Sequence, residues 1–276
     1  CGTGPVPAVP VIPCLPRRRG GRPPLAPSLL FRPAVRGGFS GAMAGLPAST
    51  RLLYPPLHVL LPPLAEATDE RMRQRIKVLT ETNPMLGTRG CRLGIQWPEI
   101  YEMQVRAIAR AAKAVQERTG EVPLVEIMHP LVGFKEELRR LRELTEEVMT
   151  EEAPELEYLC GTMIELPRAA LRADEIAEVA DFFSFGTNDL TQTVLGMSRD
   201  DAEGKFLTFY LEDGVIDANP FETLDLSGVG DLMKTDVERG APTKPDSKTG
   251  HGGGDGTSTR PGPWRPTPAR AHPWLP

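Results

Sequence analysis

The 276-residue sequence is poor in several things at once, and each shortage excludes something. It has no run of roughly 18 consecutive apolar residues, so it offers no transmembrane helix. Its four cysteines, Cys1, Cys14, Cys91 and Cys160, are scattered without a CxxC pair, which argues against a disulfide framework and for a reducing compartment. No GxGxxG or Walker loop follows any candidate strand, which weakens a nucleotide-binding open sheet. No internal repeat is found. Residues 1–50 contain six Arg but no Lys and no acidic residue, together with ten prolines and no sustained period. Such a stretch should not be forced into helices or strands.

What is present lies mostly between the two ends. Residues 51–240 hold 21 basic and 35 acidic residues, an acidic body that argues against nucleic-acid binding. The tail from Gly240 is again rich in Gly and Pro. The expected organisation is a Pro/Arg-rich disordered segment over 1–40, a folded region over 41–239 and a disordered tail over 240–276. An acid-free, Arg-rich start has the composition of an organelle transit peptide. A truncated or frame-shifted coding sequence accounts for both ends together.

In the middle, apolar runs and amphipathic stretches alternate. "RLLYPPL" reads as a short strand ending in a Pro-Pro turn, and Asp69 to Glu81 as a charged helix. Pro98 opens a helix that carries Ile100, Met103, Ala107, Ile108, Ala111 and Val115 and stops at Gly120. "PLVEIM" reads as a buried strand, Gly133 to Thr150 as a helix, "YLCGTMI" as a strand, Arg168 to Ala180 as helical and "DFFSF" as a further strand. Alternation of this kind gives α/β architecture with a parallel sheet, either a βα barrel or a doubly wound sheet.

Two strands run into carboxylates, Glu165 in "GTMIELPRAAL" and Asp189 in "DFFSFGTNDLTQ". In a barrel both fall on the face where strand C-termini converge, and two carboxylates at one mouth suit a hard cation such as Mg²⁺. A helix N-cap at Asp189 and a Glu165–Arg168 pair explain the same spacing without a ligand. The Gly186-Thr187 turn and Asn188 add amide and backbone N–H groups that can hold an anion.

In order along the chain, "NPMLGTRGCRLGI", "PEIYEMQVRAI", "VEIMHPLVGFKEEL", "GTMIELPRAAL", "FFSFGTNDLTQT", "SRDDAEGKFL" and "NPFETLD" resemble the pyruvate, phosphate dikinase branch of the phosphoenolpyruvate (PEP)-utilising enzymes. They match its C-terminal PEP/pyruvate-binding domain, over roughly Gly41 to Arg239. The resemblance implies a (β/α)8 TIM-type barrel, here incomplete, with the first and last strands missing. It implies Mg²⁺ on Glu165 and Asp189, a substrate-contacting turn at Gly186, Thr187 and Asn188, and catalytic, substrate-facing arginines at Arg51 and Arg89, with Arg199 a further candidate. The implied reaction converts ATP, phosphate and pyruvate to AMP, pyrophosphate and PEP. It runs through phosphohistidine and ATP-binding domains that this chain does not carry, in an enzyme that is a homodimer when complete and works in the cytoplasm, or in a plastid if the source is a plant. None of His58, His129, His251 and His272 has the setting of a phosphocarrier. The family's proton-exchanging cysteine has no counterpart, since Cys160 reads as core and Cys91 as part of a strand. The fragment is therefore expected to bind rather than turn over, or to act as a non-catalytic module on an intact subunit.

Overall fold

The computed structural model describes residues 47–52, 55–56, 59, 61–243 and 248–251. The expected disordered segment 1–40 and the distal tail lie outside the described residues, as do Tyr54, His58 and His272. Five strands form one sheet in the order β1 (Pro47–Arg51), β2 (Leu124–His129), β3 (Tyr158–Ile164), β4 (Phe182–Phe185) and β5 (Lys248–His251), every neighbouring pair parallel. All five C-terminal ends therefore lie along one edge of the sheet.

Helices cross between the strands. A Pro at the first helical position opens α3 (Pro98–Thr119), since its fixed φ suits the helix and its missing N–H is not needed there. Gly120, at φ 73, closes α3 in the left-handed conformation that a side chain disfavours. Its buried stripe of Tyr101, Val105, Ile108 and Ala112 joins the core that the sheet shares, and Val115 is buried one turn further on. α4 (Lys135–Glu152) buries Leu138, Leu141, Val148 and Met149 beside it. The Glu137 carboxylate stops the N-terminus of α4 from fraying by accepting the backbone N–H groups of Gly133 and Phe134 at 2.8 and 3.0 Å. Farther along, α5 (Pro167–Leu171) and α6 (Ala173–Ala177) pack against α10 (Asp231–Thr243).

Both faces of the sheet are buried, as a parallel sheet requires. Val125, Ile127, Ile164, Phe183 and Phe185 join the helices in the large core, whereas Met128, Met163 and Phe182 form a smaller cluster with Leu159. Adjacent residues of β2, β3 and β4 divide between the two clusters, as period-2 geometry demands.

The structure corrects four expectations. The first described strand is Pro47–Arg51 rather than "RLLYPPL"; just past it the Leu52 N–H donates to Met128 O at 3.0 Å, and Pro55 and Pro56 have no N–H to offer a ladder. Cys91 lies in no strand but begins the short helix α2 (Cys91–Gln96), launched by Gly90 at φ 58. The span Arg168 to Ala180 is two short helices, broken at Arg172, whose φ of −123° leaves the helical region. The ordered chain does not stop at Arg239: α10 runs to Thr243, and Lys248–His251 pairs with β4 in the register Phe182↔Lys248 to Phe185↔His251. A strand thus lies inside the span expected to be a disordered tail.

Candidate functional site

Parallel register brings the ends of β1 to β4 together, and each end supplies one part of the site. β3 ends at Ile164, so Glu165 projects from its tip with its side chain fully buried. Its Oε1 accepts the Leu131 backbone N–H at 2.9 Å, from the turn that follows β2. Leu131 stands at φ 62, in the left-handed region that a branched side chain avoids at a cost of about 1 kcal/mol or more. That strained residue aims a backbone donor at the buried carboxylate.

The other Glu165 oxygen, Oε2, accepts no hydrogen bond, and Arg51 Nη1 at the tip of β1 stands 3.8 Å away. Arg51 Nη1 also donates to the Met163 sulfur at 3.3 Å. Gly186 follows β4 and has no room for a side chain: a Cβ there would meet Glu165 Cγ at 2.6 Å, Glu165 Oε2 at 2.8 Å and the Met163 sulfur at 2.8 Å. Glycine at this position lets the backbone pass directly beside the carboxylate.

The helix α7 (Thr187–Leu195) begins on that glycine, which places Thr187, Asn188 and Asp189 in its first turn with Asn188 exposed. Asp189 faces Glu165. Burial first, and then the neighbouring Asp189 carboxyl, push the Glu165 pKa up to about 8, against smaller opposing pulls from the Leu131 N–H and Arg51. Asp189 itself meets Arg89, whose Nη2 reaches both carboxylate oxygens at 3.2 and 3.1 Å. The Thr193 hydroxyl lies 2.8 Å from Asp189 O and 3.2 Å from Glu165 O, tying the start of α7 to the end of β3.

The structure therefore brings together Arg51, Arg89, Glu165, Gly186, Thr187, Asn188 and Asp189. Arg199 is not among them. It opens α8 (Arg199–Lys205), and its guanidinium pairs with Glu203 at 3.3 Å and lies over the Phe221 ring at 5.8 Å. Sequence patterns gave no sign of Leu131, whose N–H reaches the Glu165 carboxylate, of Met163, whose sulfur accepts a hydrogen bond from Arg51, or of Thr193, whose hydroxyl bonds the backbone carbonyls of Asp189 and Glu165. A weaker signal did exist for Glu126, an acid inside an apolar strand, which is buried in β2 and accepts a hydrogen bond from the Ser49 hydroxyl of β1.

Among the described residues no group of three or more His, Cys, Asp or Glu side chains could enclose a metal ion. The donor set is two facing carboxylates, one with an oxygen that no donor satisfies. That suits a hard cation which keeps several ligands from water and substrate, as Mg²⁺ does. It does not suit a closed structural site. Among the described residues, Cys91 and Cys160 are buried free cysteines. Burial pushes the Cys160 thiol up to about 12 and raises Cys91 further. His129 is wholly buried, its pKa driven down to about 3 by desolvation, and its Nε2 lies 3.1 Å from the Thr145 hydroxyl. It is a neutral core residue.

The family model described as "PEP-utilising enzyme, PEP-binding domain" matches residues 38–260. The chain is 52% identical over 235 residues to a protein of Rhizobium meliloti (strain 1021) named pyruvate, phosphate dikinase, covering 79% of this chain and 26% of the relative. It is 49% identical over 247 residues to pyruvate, phosphate dikinase 1, chloroplastic, of Arabidopsis thaliana, covering 81% and 25%. The rice protein named pyruvate, phosphate dikinase 2 is 49% identical over 236 residues, covering 78% and 26%. The chain spans about a quarter of the length of these relatives. No helix among the described residues is long and apolar enough to cross a membrane.

Proposed function

The chain belongs to the PEP-utilising enzymes, through their PEP-binding domain, and from that premise we propose that it is the pyruvate/PEP-binding part of a pyruvate, phosphate dikinase. The observation that carries the reading is the pair of facing carboxylates, Glu165 and Asp189, set at the ends of successive parallel strands with Arg51 and Arg89 beside them. In the intact enzyme the reaction would be ATP, phosphate and pyruvate to AMP, pyrophosphate and PEP, with phosphoryl transfer reaching this site from domains outside this chain.

Glu165 and Asp189 would hold Mg²⁺, and a Mg²⁺ bound there would lower the energy of the enolate oxygen of pyruvate. Arg51, one third exposed beside Glu165, is placed to pair with that oxygen or with the carboxylate of the substrate. Thr187 and Asn188, in the first turn of α7, offer N–H groups and the positive end of the helix to the same anion. Burial of Glu165 and Arg89 keeps water from competing for these charges. A barrel wall is the architecture we favour, because the five strands follow chain order without the reversal of a doubly wound sheet and both faces are buried.

Calorimetry with oxalate, a planar mimic of the pyruvate enolate, tests the reading. Oxalate should bind in MgCl₂ and not in EDTA, and Glu165→Ala or Asp189→Ala should abolish the binding. The purified chain should form no PEP from ATP, phosphate and pyruvate. Oxalate binding that ignores Mg²⁺ removes the carboxylate assignment, and turnover by this chain alone removes the need for further domains.

A further inference from the structure

The strained Leu131 turn is held from two sides by one residue. Leu131 stands at φ 62 and donates its N–H to Glu165 Oε1 at 2.9 Å. The same peptide unit carries Pro130 O, which accepts the Cys91 N–H at 3.0 Å. The next carbonyl, Leu131 O, accepts from the Cys91 thiol, whose sulfur lies 3.0 Å away. Both peptide planes that meet at the Leu131 Cα are therefore tied to Cys91. Gly90 lets the two segments come this close, since a Cβ there would stand 2.7 Å from Leu131 Cβ and 3.1 Å from Pro130 O.

We propose that Cys91 is a positioning residue, whose backbone N–H and thiol together fix the Leu131 conformation that aims a donor at Glu165. Its effect on ligand affinity rests on the reading of Glu165 as a metal ligand; its effect on the turn does not. A trans peptide is planar, with its C=O and N–H on opposite sides. Anchoring Pro130 O on Cys91 thus directs the Leu131 N–H the other way, toward Glu165 Oε1. A leucine left free would leave the left-handed region, which costs about 1 kcal/mol or more. Such a rotation would swing the peptide plane, and its N–H, off the carboxylate. The Cys91 N–H is a first-turn donor of α2 that no helix carbonyl can accept. Any residue but proline would supply that donor, so the thiol is the part specific to cysteine. Cys91 is fully buried, where no water can replace a lost donor. Burial first, and then the nearby Glu137 carboxylate, raise the thiol pKa, so the sulfur keeps the proton it donates.

The test uses the full chain as wild type, Cys91→Ala, Cys91→Ser and Cys91→Val. Serine keeps a donor and gives up apolar volume, whereas valine keeps the volume and gives up the donor. The first readout needs no ligand: exchange of the Leu131 amide proton by NMR, measured against the amides of α3. It should run on the order of tenfold faster in Cys91→Ala and Cys91→Val than in wild type, as the loss of one buried hydrogen bond implies, and stay near wild type in Cys91→Ser. Oxalate affinity in MgCl₂, by calorimetry, should fall about tenfold in Cys91→Ala and Cys91→Val, the low end of what the partner of a metal ligand contributes. Cys91→Ser should restore most of it, even where its urea midpoint is the lower of the two. If valine at this position does not fold, alanine against serine makes the same comparison. Leu131 exchange unchanged in Cys91→Ala overturns the proposal. So does valine restoring Leu131 protection and oxalate affinity where serine fails, which would make Cys91 a packing residue. A wild type that binds no oxalate in MgCl₂ removes the metal-ligand reading of Glu165, and the Leu131 exchange rates then decide the role of Cys91 on their own.

Discussion

Asp236 should make this fold less stable than it could be, by an amount that grows with pH. It sits in α10 with no exposed surface, and neither carboxyl oxygen has a hydrogen-bond partner. Burial alone raises its pKa from an ordinary 3.8 to about 8. A group that keeps its proton longer in the folded than in the unfolded chain favours folding fully below its unfolded pKa. That contribution declines as pH rises from about 4 to about 8 and is level above that. With about 1.4 kcal/mol for each tenfold change in proton affinity, the rise from 3.8 to about 8 sets a ceiling of about 6 kcal/mol on the cost of ionised Asp236. Even as a neutral acid, two unmatched polar atoms cost roughly 1–3 kcal/mol. Asp236→Ala removes both penalties and leaves a small void next to the seam where Gly240 packs on Phe183 and Ala173. The net gain should be about 1–2 kcal/mol at pH 6, a shift of roughly 0.5–1 M in the urea midpoint for a typical slope, and larger at pH 9. Urea melts of wild type and variant at both pH values decide the matter. A variant that is less stable than wild type, or equally more stable at the two pH values, refutes the reasoning.

Three further outcomes follow from the site and the sheet. Because Glu165 holds its proton up to about pH 8, Mg²⁺ must displace that proton, so calorimetric affinity should climb up to tenfold per pH unit below about pH 8 and flatten above; a flat profile from pH 6 to 8 would show Glu165 to be ionised already or not a ligand. Gly186→Ala should drive a methyl against Glu165 and Met163 and lose most oxalate binding, while costing about 1–3 kcal/mol of stability by overpacking; unchanged binding would mean that the turn does not set the carboxylate. Gly161→Ala should be worse for the fold, since its Cβ would stand 2.4 Å from the Phe182 carbonyl, a backbone atom of the paired strand, and a soluble variant with a wild-type melt would contradict the close approach of β3 and β4.

Much of the fold was legible because its signals are local. The Pro98-to-Gly120 helix carried its own start, stripe and stop, and it appears as Pro98–Thr119. "YLCGTMI" and the apolar part of "DFFSF" were strands by composition alone, and both are. What was missed depended on contacts distant in sequence. Nothing around Cys91 announces that its N–H will meet Pro130 O and its sulfur Leu131 O. Lys248–His251 is a short polar stretch that becomes a strand through pairing with β4, where the partner and not propensity decides. In the site, the strand-end position made Glu165 and Asp189 visible. Their inequality was not, because it arises from a guanidinium 100 residues away in the chain. Arg199 shows the converse: a motif residue by sequence, it is engaged by Glu203 one turn along its own helix.

On the reading proposed above, Glu165 and Asp189 gather one divalent cation. The most direct measurement is an anomalous difference map from crystals of the chain grown with oxalate and MnCl₂, Mn²⁺ standing in for Mg²⁺. One strong peak is expected within bonding distance of both carboxylates, with oxalate oxygens completing its shell. A peak bound elsewhere, or oxalate held by the arginines with no cation between Glu165 and Asp189, would contradict it.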